Sequence, residues 1–309
     1  MMANLRNILV IKLSALGDFV QAMGPCAAIR RVHSAAHITL LTTAPYVEFA
    51  RSSGYFDNIW TDQRPSWWQV LTWLTLKKKL DGGGFDRVYD LQTSDRSSFY
   101  FYLLRRPKPD WSGIAAGCSL PHVNPQREVM HTIDRQREQL AMAGIDDVQL
   151  PTFDWIGNGT DTFSLPEAFI LFVPGGSAGR PGKRWSINGY VELAARLSVK
   201  NYVPVLIGAV DEVTRNEKIA QNCPLAIDLT GQTSITDLVR LARGASGAVG
   251  NDNGPMHLIA AAACPSLVLY SYESDPALCA QRGPQVKILR RDTLDMLTVD
   301  EVEAAMRLR

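Results

Sequence analysis

The chain has 309 residues, 46% hydrophobic and 20% charged, with a net charge of +1. That composition is ordinary for a soluble globular protein with material for about two domains, and the near-neutral balance excludes nucleic acid as an electrostatic partner. Five cysteines at 26, 118, 223, 264 and 279 are too scattered for a CxxC pair, so they read as reduced thiols of a cytosolic protein with no metal site. The longest apolar run, Leu258–Tyr270, is broken by Pro265 and is too short to span a bilayer. The patch Ile8–Ile11 is cut off by Lys12, too early for a signal peptide. A cytoplasmic location is therefore expected, with peripheral contact at a membrane surface left open.

In the first half, apolar runs at 7–13, 37–42, 58–61, 86–91 and 112–115 predict strands. Helical periodicity lies between and after them at 18–31, 45–52, 66–80, 95–104 and 131–143. The second half repeats the scheme, with strands at 168–173, 203–207, 226–229, 246–250, 266–270 and 286–289. Helices are predicted at 186–198, 211–221, 234–243, 254–263 and 298–308. Such βα alternation implies parallel sheets covered on both faces, an α/β class. A Gly- and Pro-rich stretch at 151–166 separates the halves, which gives expected domains of 1–157 and 158–309.

Several stretches carry residues suited to chemistry. After the first strand, Ser14-Ala15-Leu16-Gly17-Asp18 places a carboxylate where a helix begins. Asp18 suits either a general base or an N-cap. Arg64-Pro65-Ser66-Trp67-Trp68 leads to Trp73, Leu74, Leu76 and Lys77–Lys79. An amphipathic helix packed on the sheet with solvated lysines at its end is the simpler account, and a helix lying on an anionic membrane is the other. Pro174-Gly175-Gly176 runs on to Lys183-Arg184-Trp185, a glycine-rich loop with a lysine that could meet phosphate. It matches neither the Walker A loop nor GxGxxG, so no nicotinamide or flavin cofactor is implied. Asp211-Glu212 follows a strand, where acids bind ribose hydroxyls or simply charge a helix start. Asn251-Asp252-Asn253-Gly254-Pro255-Met256-His257 reads as a strand, a polar turn and a helix start whose dipole and free N–H groups suit an anion. The plainer alternative is that Asp252 and Asn253 only cap that helix. His257 reads as a buried structural histidine.

These pieces, in this order, resemble glycosyltransferase family 9, the ADP-heptose:lipopolysaccharide heptosyltransferases. The likeness rests on Ile8–Lys12 with Leu16-Gly17-Asp18, on Asp90-Leu91-Gln92 with Arg96-Ser97, on Pro174-Gly175 with Lys183-Arg184-Trp185, and on Asn251–His257. The resemblance implies a GT-B fold, two Rossmann-like doubly wound domains facing a cleft, with the acceptor on the N-terminal domain and the nucleotide-sugar on the C-terminal one. It implies an inverting, metal-independent transfer from ADP-heptose to a lipid-linked saccharide, the growing lipopolysaccharide core. Asp18 matches the general base, Lys183 the lysine facing the donor phosphates, and Glu212 the ribose-binding acid. Asp252 and the backbone at Asn253, Gly254 and Pro255 match the donor-phosphate site. Three positions depart from the family: Asn253 stands for a hydroxyl residue, Ser186 for a proline, and Leu269–Pro276 for a loop with Phe-Gly. Other readings are a nucleotide-sugar 2-epimerase on the same scaffold and a non-catalytic nucleotide-sugar-binding protein.

Overall fold

The computed structural model describes residues 5–159, 163–177 and 179–309. Residues 160–162 of the expected linker and Ala178 of the glycine-rich loop lie outside the described residues. The chain divides into two compact units, Met1–Pro151 and Thr152–Arg309.

The first unit is a six-stranded parallel sheet in the order β3-β2-β1-β4-β5-β6. Its strands are β1 (Asn7–Ile11), β2 (His37–Thr42), β3 (Asn58–Thr61), β4 (Arg87–Asp90), β5 (Asp110–Gly113) and β6 (Leu120–Pro121). Helices α1 (Leu16–Val32), α2 (Val47–Ser52), α3 (Val70–Gly82), α4 (Asp95–Leu103) and α5 (Thr132–Met142) connect and cover it. Ile8, Leu9, Val10 and Ile11 are all wholly buried. A strand with apolar side chains on both faces has to lie between two helical layers, and β1 accordingly pairs in parallel with β2 and β4.

The second unit repeats the plan in the order β12-β11-β10-β7-β8-β9. Its strands are β7 (Phe169–Val173), β8 (Val203–Leu206), β9 (Ile227–Asp228), β10 (Gly247–Asn251), β11 (Ser266–Tyr270) and β12 (Val286–Arg290). Its helices are α6 (Ile187–Val199), α7 (Val213–Asn222), α8 (Ile235–Gly244), α9 (Gly254–Ala261), α10 (Pro276–Cys279) and α11 (Val299–Ala305). On α6, Tyr190, Leu193, Ala194 and Leu197 are buried at helical spacing. Each such side chain contributes roughly 1.5–3 kcal/mol when removed from water. Trp185 joins this core at 1% exposure, and its indole N–H donates to Leu297 O at 3.0 Å.

Counted from its first strand, each sheet has the order 3-2-1-4-5-6, the Rossmann arrangement. The order reverses between β1 and β4 in one unit and between β7 and β10 in the other. In such sheets ligands bind beyond the carboxyl ends of the strands at that reversal. Three local expectations need correction. Asp18 is not an N-cap: Ala15 holds that position and Asp18 stands three residues inside α1. The helix expected from 66 starts at Val70, because Ser66–Gln69 forms a turn in which Ser66 N–H donates to Gln69 Oε1 at 2.7 Å. Its apolar stripe also packs only in part: Trp73, Leu76 and Leu80 are buried, while Trp68 and Leu71 are exposed.

Candidate active site

In the first unit, the residues after β1 and β4 meet at the reversal. Gln92 Oε1 accepts from Leu13 N at 2.8 Å and Ser14 N at 3.2 Å, and Thr43 Oγ1 donates to Leu13 O at 2.7 Å. The turn leading into α1 is therefore fixed from two sides. One helical turn on, Asp18 is exposed. Its Oδ2 accepts from Ala15 N at 3.4 Å, a long contact that leaves the carboxylate able to take other partners. Lys12 is 3% exposed and donates from Nζ to Leu91 O at 3.2 Å. Burial lowers the pKa of its ammonium, with Asp18 and Asp90 opposing that shift. Burial raises the Asp90 carboxyl to about 6, against hydrogen bonds from Thr93, Ser97 and Gln92.

Asp18 lines a cavity of about 160 Å³ together with Lys12, Gln92, Arg127, Arg135 and Gln136. The Gln136 side-chain oxygen in its wall is buried without a hydrogen-bond partner among the described residues. Arg135 donates to Thr132 Oγ1 at 3.0 Å and pairs with no carboxylate at ion-pair distance among the described residues. The cavity wall therefore sets one carboxylate beside three basic side chains, of which Arg127 is paired with Glu128 at 2.9 Å, an arrangement that suits a polar, anionic ligand.

In the second unit, the loop after β7 is braced by Glu212. Gly176 N donates to Glu212 Oε1 at 2.7 Å and Ala209 N to Oε2 at 2.9 Å. A Cβ at Gly175 would stand 1.6 Å from Glu212 Oε1, so only glycine permits this approach. Each carboxylate oxygen has a second lone-pair site, and ribose hydroxyls could use those. Asn251, at the end of β10, is fully buried and fully used. It donates to Pro174 O at 2.6 Å and Gly175 O at 3.0 Å, and accepts from Trp185 N at 3.0 Å and Tyr190 OH at 3.2 Å.

Asp252 and Asn253 divide the work that either could have done as a cap. Asn253 caps α9, accepting from Met256 N at 3.2 Å while its amide donates to Gly175 O at 3.0 Å. Asp252 instead accepts from Lys183 Nζ at 2.5 Å, Ser274 Oγ at 2.8 Å and Gln281 Nε2 at 3.0 Å. Burial alone would raise the Asp252 carboxyl. Lys183 and the two neutral donors outweigh burial and hold it below its ordinary value. A helix start leaves its first N–H groups without intrahelical partners. Asn253 takes the one on Met256 and Pro255 has none to offer. His257 is buried at 8% exposure. Two of the departures from the family pattern have evident jobs. Ser186 caps α6 by accepting from Gly189 N at 3.0 Å, and the divergent loop supplies Ser274 to Asp252.

The structure thus gathers Lys183, Asp252, Asn253 and Gly254 in one place and Asp18 in another, with Glu212 behind the glycine loop. Sequence reasoning missed the roles of Arg127, Arg135, Asn251, Ser274 and Gln281. Lys12 was signalled by its place at the end of an apolar strand and by the stretch Ile8–Lys12 that carries the family resemblance.

Two doubly wound units, each with a polar loop system at its reversal point, define a GT-B fold. A family model for glycosyltransferase family 9 (heptosyltransferase) matches residues 73–305, and the chain belongs to that family. It is 34% identical over 106 residues to lipooligosaccharide heptosyltransferase 2 of Haemophilus influenzae, covering 33% of this chain and 30% of that protein. It is 32% identical over 134 residues to lipopolysaccharide heptosyltransferase 2 of Salmonella typhimurium, covering 42% of this chain and 38% of that protein. The matched stretches therefore span about a third of the curated relatives' length. Among solved structures, E. coli ADP-heptose lps heptosyltransferase II superposes with a TM-score of 0.80 at 21% identity, covering 97% of each chain. The UDP-GlcNAc 2-epimerase of Methanocaldococcus jannaschii has a TM-score of 0.58 at 10% identity, covering 98% of this chain and 94% of that one.

Proposed function

We propose that this protein is an inverting, metal-independent glycosyltransferase that moves heptose from ADP-heptose to the inner core of a lipopolysaccharide acceptor at the cytoplasmic face of the inner membrane. The observation that carries this reading is the pocket beside Asp18. A lone exposed carboxylate stands on the wall of a cavity whose other charges are Lys12, Arg127 and Arg135. Such a cavity would hold a saccharide bearing carboxylate or phosphate groups and keep one hydroxyl against a base.

In the proposed reaction Asp18 takes the proton of the acceptor hydroxyl as its oxygen attacks the anomeric carbon. The new C–O bond forms as the bond from that carbon to the diphosphate oxygen breaks, and ADP leaves with the electron pair. Attack opposite the departing group inverts the anomeric centre. Lys183 has three N–H donors and Asp252 takes one. The others, with the N–H groups at the start of α9, would stabilise the charge that grows on the leaving diphosphate. Glu212 would accept from the ribose hydroxyls.

The test is Asp18→Asn, assayed with ADP-heptose and a heptose-deficient core acceptor. We expect kcat to fall by about 10²–10⁴, with ADP-heptose affinity by calorimetry unchanged. A rate near that of the wild type would remove Asp18 from the base role. The anomeric configuration of the product by NMR and the rate in the presence of a chelator test inversion and metal independence. Turnover of the donor with no acceptor present would favour the epimerase reading instead.

A further inference from the structure

The segment 63–80 is more apolar than its packing requires. Trp73, Leu76 and Leu80 account for the attachment of α3 to the first unit, at 8%, 8% and 2% exposure. The Trp67 ring stacks on Trp73 with centroids 5.6 Å apart and meets Phe99 edge-on at 5.4 Å. That leaves Trp68 at 81% exposure, Leu71 at 80%, Val70 at 60% and Leu74 at 55%. Large apolar side chains exposed together mark an interaction surface. Leu71, Leu74 and Lys78 follow one another at helical spacing, so they share one face of α3.

The charged side chains within this segment have one sign. Residues 63–80 hold Arg64, Lys77, Lys78 and Lys79 and no carboxylate. Lys77 is tied to Asp81 at 2.9 Å, and the Lys79 ammonium lies 4.7 Å over the Trp60 ring. Lys78 is exposed and has no carboxylate at ion-pair distance among the described residues. Arg64 donates from its side chain to Ser14 Oγ at 3.3 Å, and that side chain likewise has no carboxylate at ion-pair distance among the described residues.

We propose that the face formed by Trp68, Leu71 and Leu74, with Lys78 at its edge, docks on an anionic lipid bilayer. Tryptophan and leucine enter the boundary between headgroups and acyl chains, and lysine stems reach back to lipid phosphates. A second copy of this chain is a poorer occupant, since a two-fold pairing through this face would set its cations against their own equivalents. Arg64 connects the docking segment to the turn that precedes α1 and Asp18, so on the function proposed above the bound membrane would lie beside the cavity offered to a lipid-borne acceptor. The inference stands on the exposed face and not on the sugar or nucleotide proposed above.

The experiment is co-sedimentation of the full chain with phosphatidylcholine vesicles, with and without phosphatidylglycerol. The wild type is compared with a Trp68→Ser/Leu71→Ser/Leu74→Ser variant and with Lys78→Glu. The three serines leave the packed residues of α3 untouched, and circular dichroism checks the fold. The wild type is expected to bind the phosphatidylglycerol vesicles, with a blue shift in tryptophan emission and weaker binding as salt rises. The triple variant should lose vesicle partition by about tenfold or more while keeping the wild-type rate on a lipid-free acceptor. Lys78→Glu should weaken binding to the anionic vesicles and not to the neutral ones. Failure of the wild type to sediment with anionic vesicles would overturn the proposal. So would equal sedimentation of wild type and triple variant, or a wild-type dimer that the triple substitution dissolves without changing vesicle binding.

Discussion

Replacing Lys183 by methionine tests whether Lys183 and Asp252 form a charged unit held out of water. Asp252 is 6% exposed and accepts from Lys183 Nζ at 2.5 Å, Ser274 Oγ at 2.8 Å and Gln281 Nε2 at 3.0 Å. Methionine keeps most of the lysine stem and removes the ammonium, so the carboxylate would keep two neutral donors and no counter-charge. At an effective dielectric near 20, an ion pair about 4 Å apart contributes about 4 kcal/mol. Part of that is offset because the lysine no longer has to be desolvated, and losing one partner of a buried pair costs about 3–5 kcal/mol. We therefore expect the variant to lose about 3 kcal/mol at neutral pH.

The pH dependence separates this from a simple packing defect. In the wild type the folded Asp252 carboxyl lies below its ordinary value. Its contribution to stability is complete above the unfolded pKa and is lost as pH falls through the folded one. In the variant, burial, the largest influence on this carboxyl, is opposed only by the weaker hydrogen bonds from Ser274 and Gln281, so we expect the folded carboxyl to rise above the unfolded value. The penalty then shrinks as pH falls and Asp252 takes a proton, by up to about 1.4 kcal/mol per pH unit. Urea unfolding of both proteins between about pH 7 and about pH 5, followed by circular dichroism, measures the difference. A stability gap that stays flat over that range, or is below about 1 kcal/mol at neutral pH, would refute the reasoning.

Two further substitutions probe the loops at the reversal points. Gln92→Leu removes the acceptor for Leu13 N and Ser14 N and frees the turn before Asp18. We expect kcat to fall about 10- to 100-fold with donor affinity unchanged, and Gln92→Glu, which keeps the accepting oxygen, to recover much of it; steady-state kinetics with calorimetry decides. Gly175→Ala sets a Cβ against Glu212 Oε1 and should cost about 1–3 kcal/mol along with ADP affinity. Adding Glu212→Ala should return part of the stability but not the affinity, which thermal melting with and without ADP will read.

Most of the architecture is legible because a doubly wound sheet writes itself into the chain twice. The run Phe-Ile-Leu-Phe-Val at 169–173 is apolar at every position and buried at every position, which no amphipathic helix or half-exposed strand would require. What escaped is what has no period. Leu120–Pro121 pairs with β5 through two residues, and α10 is four residues long, too short for either template to register. The start of α3 escaped for the opposite reason. Trp67, Trp68, Leu71 and Leu74 follow helical spacing, yet the period reports which residues share a side and not what that side meets. Taking it as a core stripe assigned to the protein interior a face that the structure leaves open.

The candidate site was legible where its residues sit within one loop and illegible where it is assembled across the sheet. Asp18 and Asp252 come soon after a strand end and Lys183 closes a glycine-rich loop, so their neighbours announce them. Arg127 precedes α5 and Arg135 lies on it, in a stretch of ordinary polar composition, and they reach the wall beside Asp18 only because α5 packs near the carboxyl end of β4. Gln139 of that helix donates to Asp90 O at 3.0 Å and Ser112 O at 3.2 Å, which fixes α5 against β4 and β5. Asn251 shows the same limit in a buried residue. Its four partners come from Pro174, Gly175, Trp185 and Tyr190, more than sixty positions back along the chain, so no local pattern could have identified it as the brace of the glycine loop. Because that brace and the cap at Asn253 both end on Gly175 O, the loop and the start of α9 are set by a common acceptor. A shift of the loop would therefore move the start of α9 with it, and in the proposed reaction that would tie the position of the donor diphosphate to the brace at Asn251.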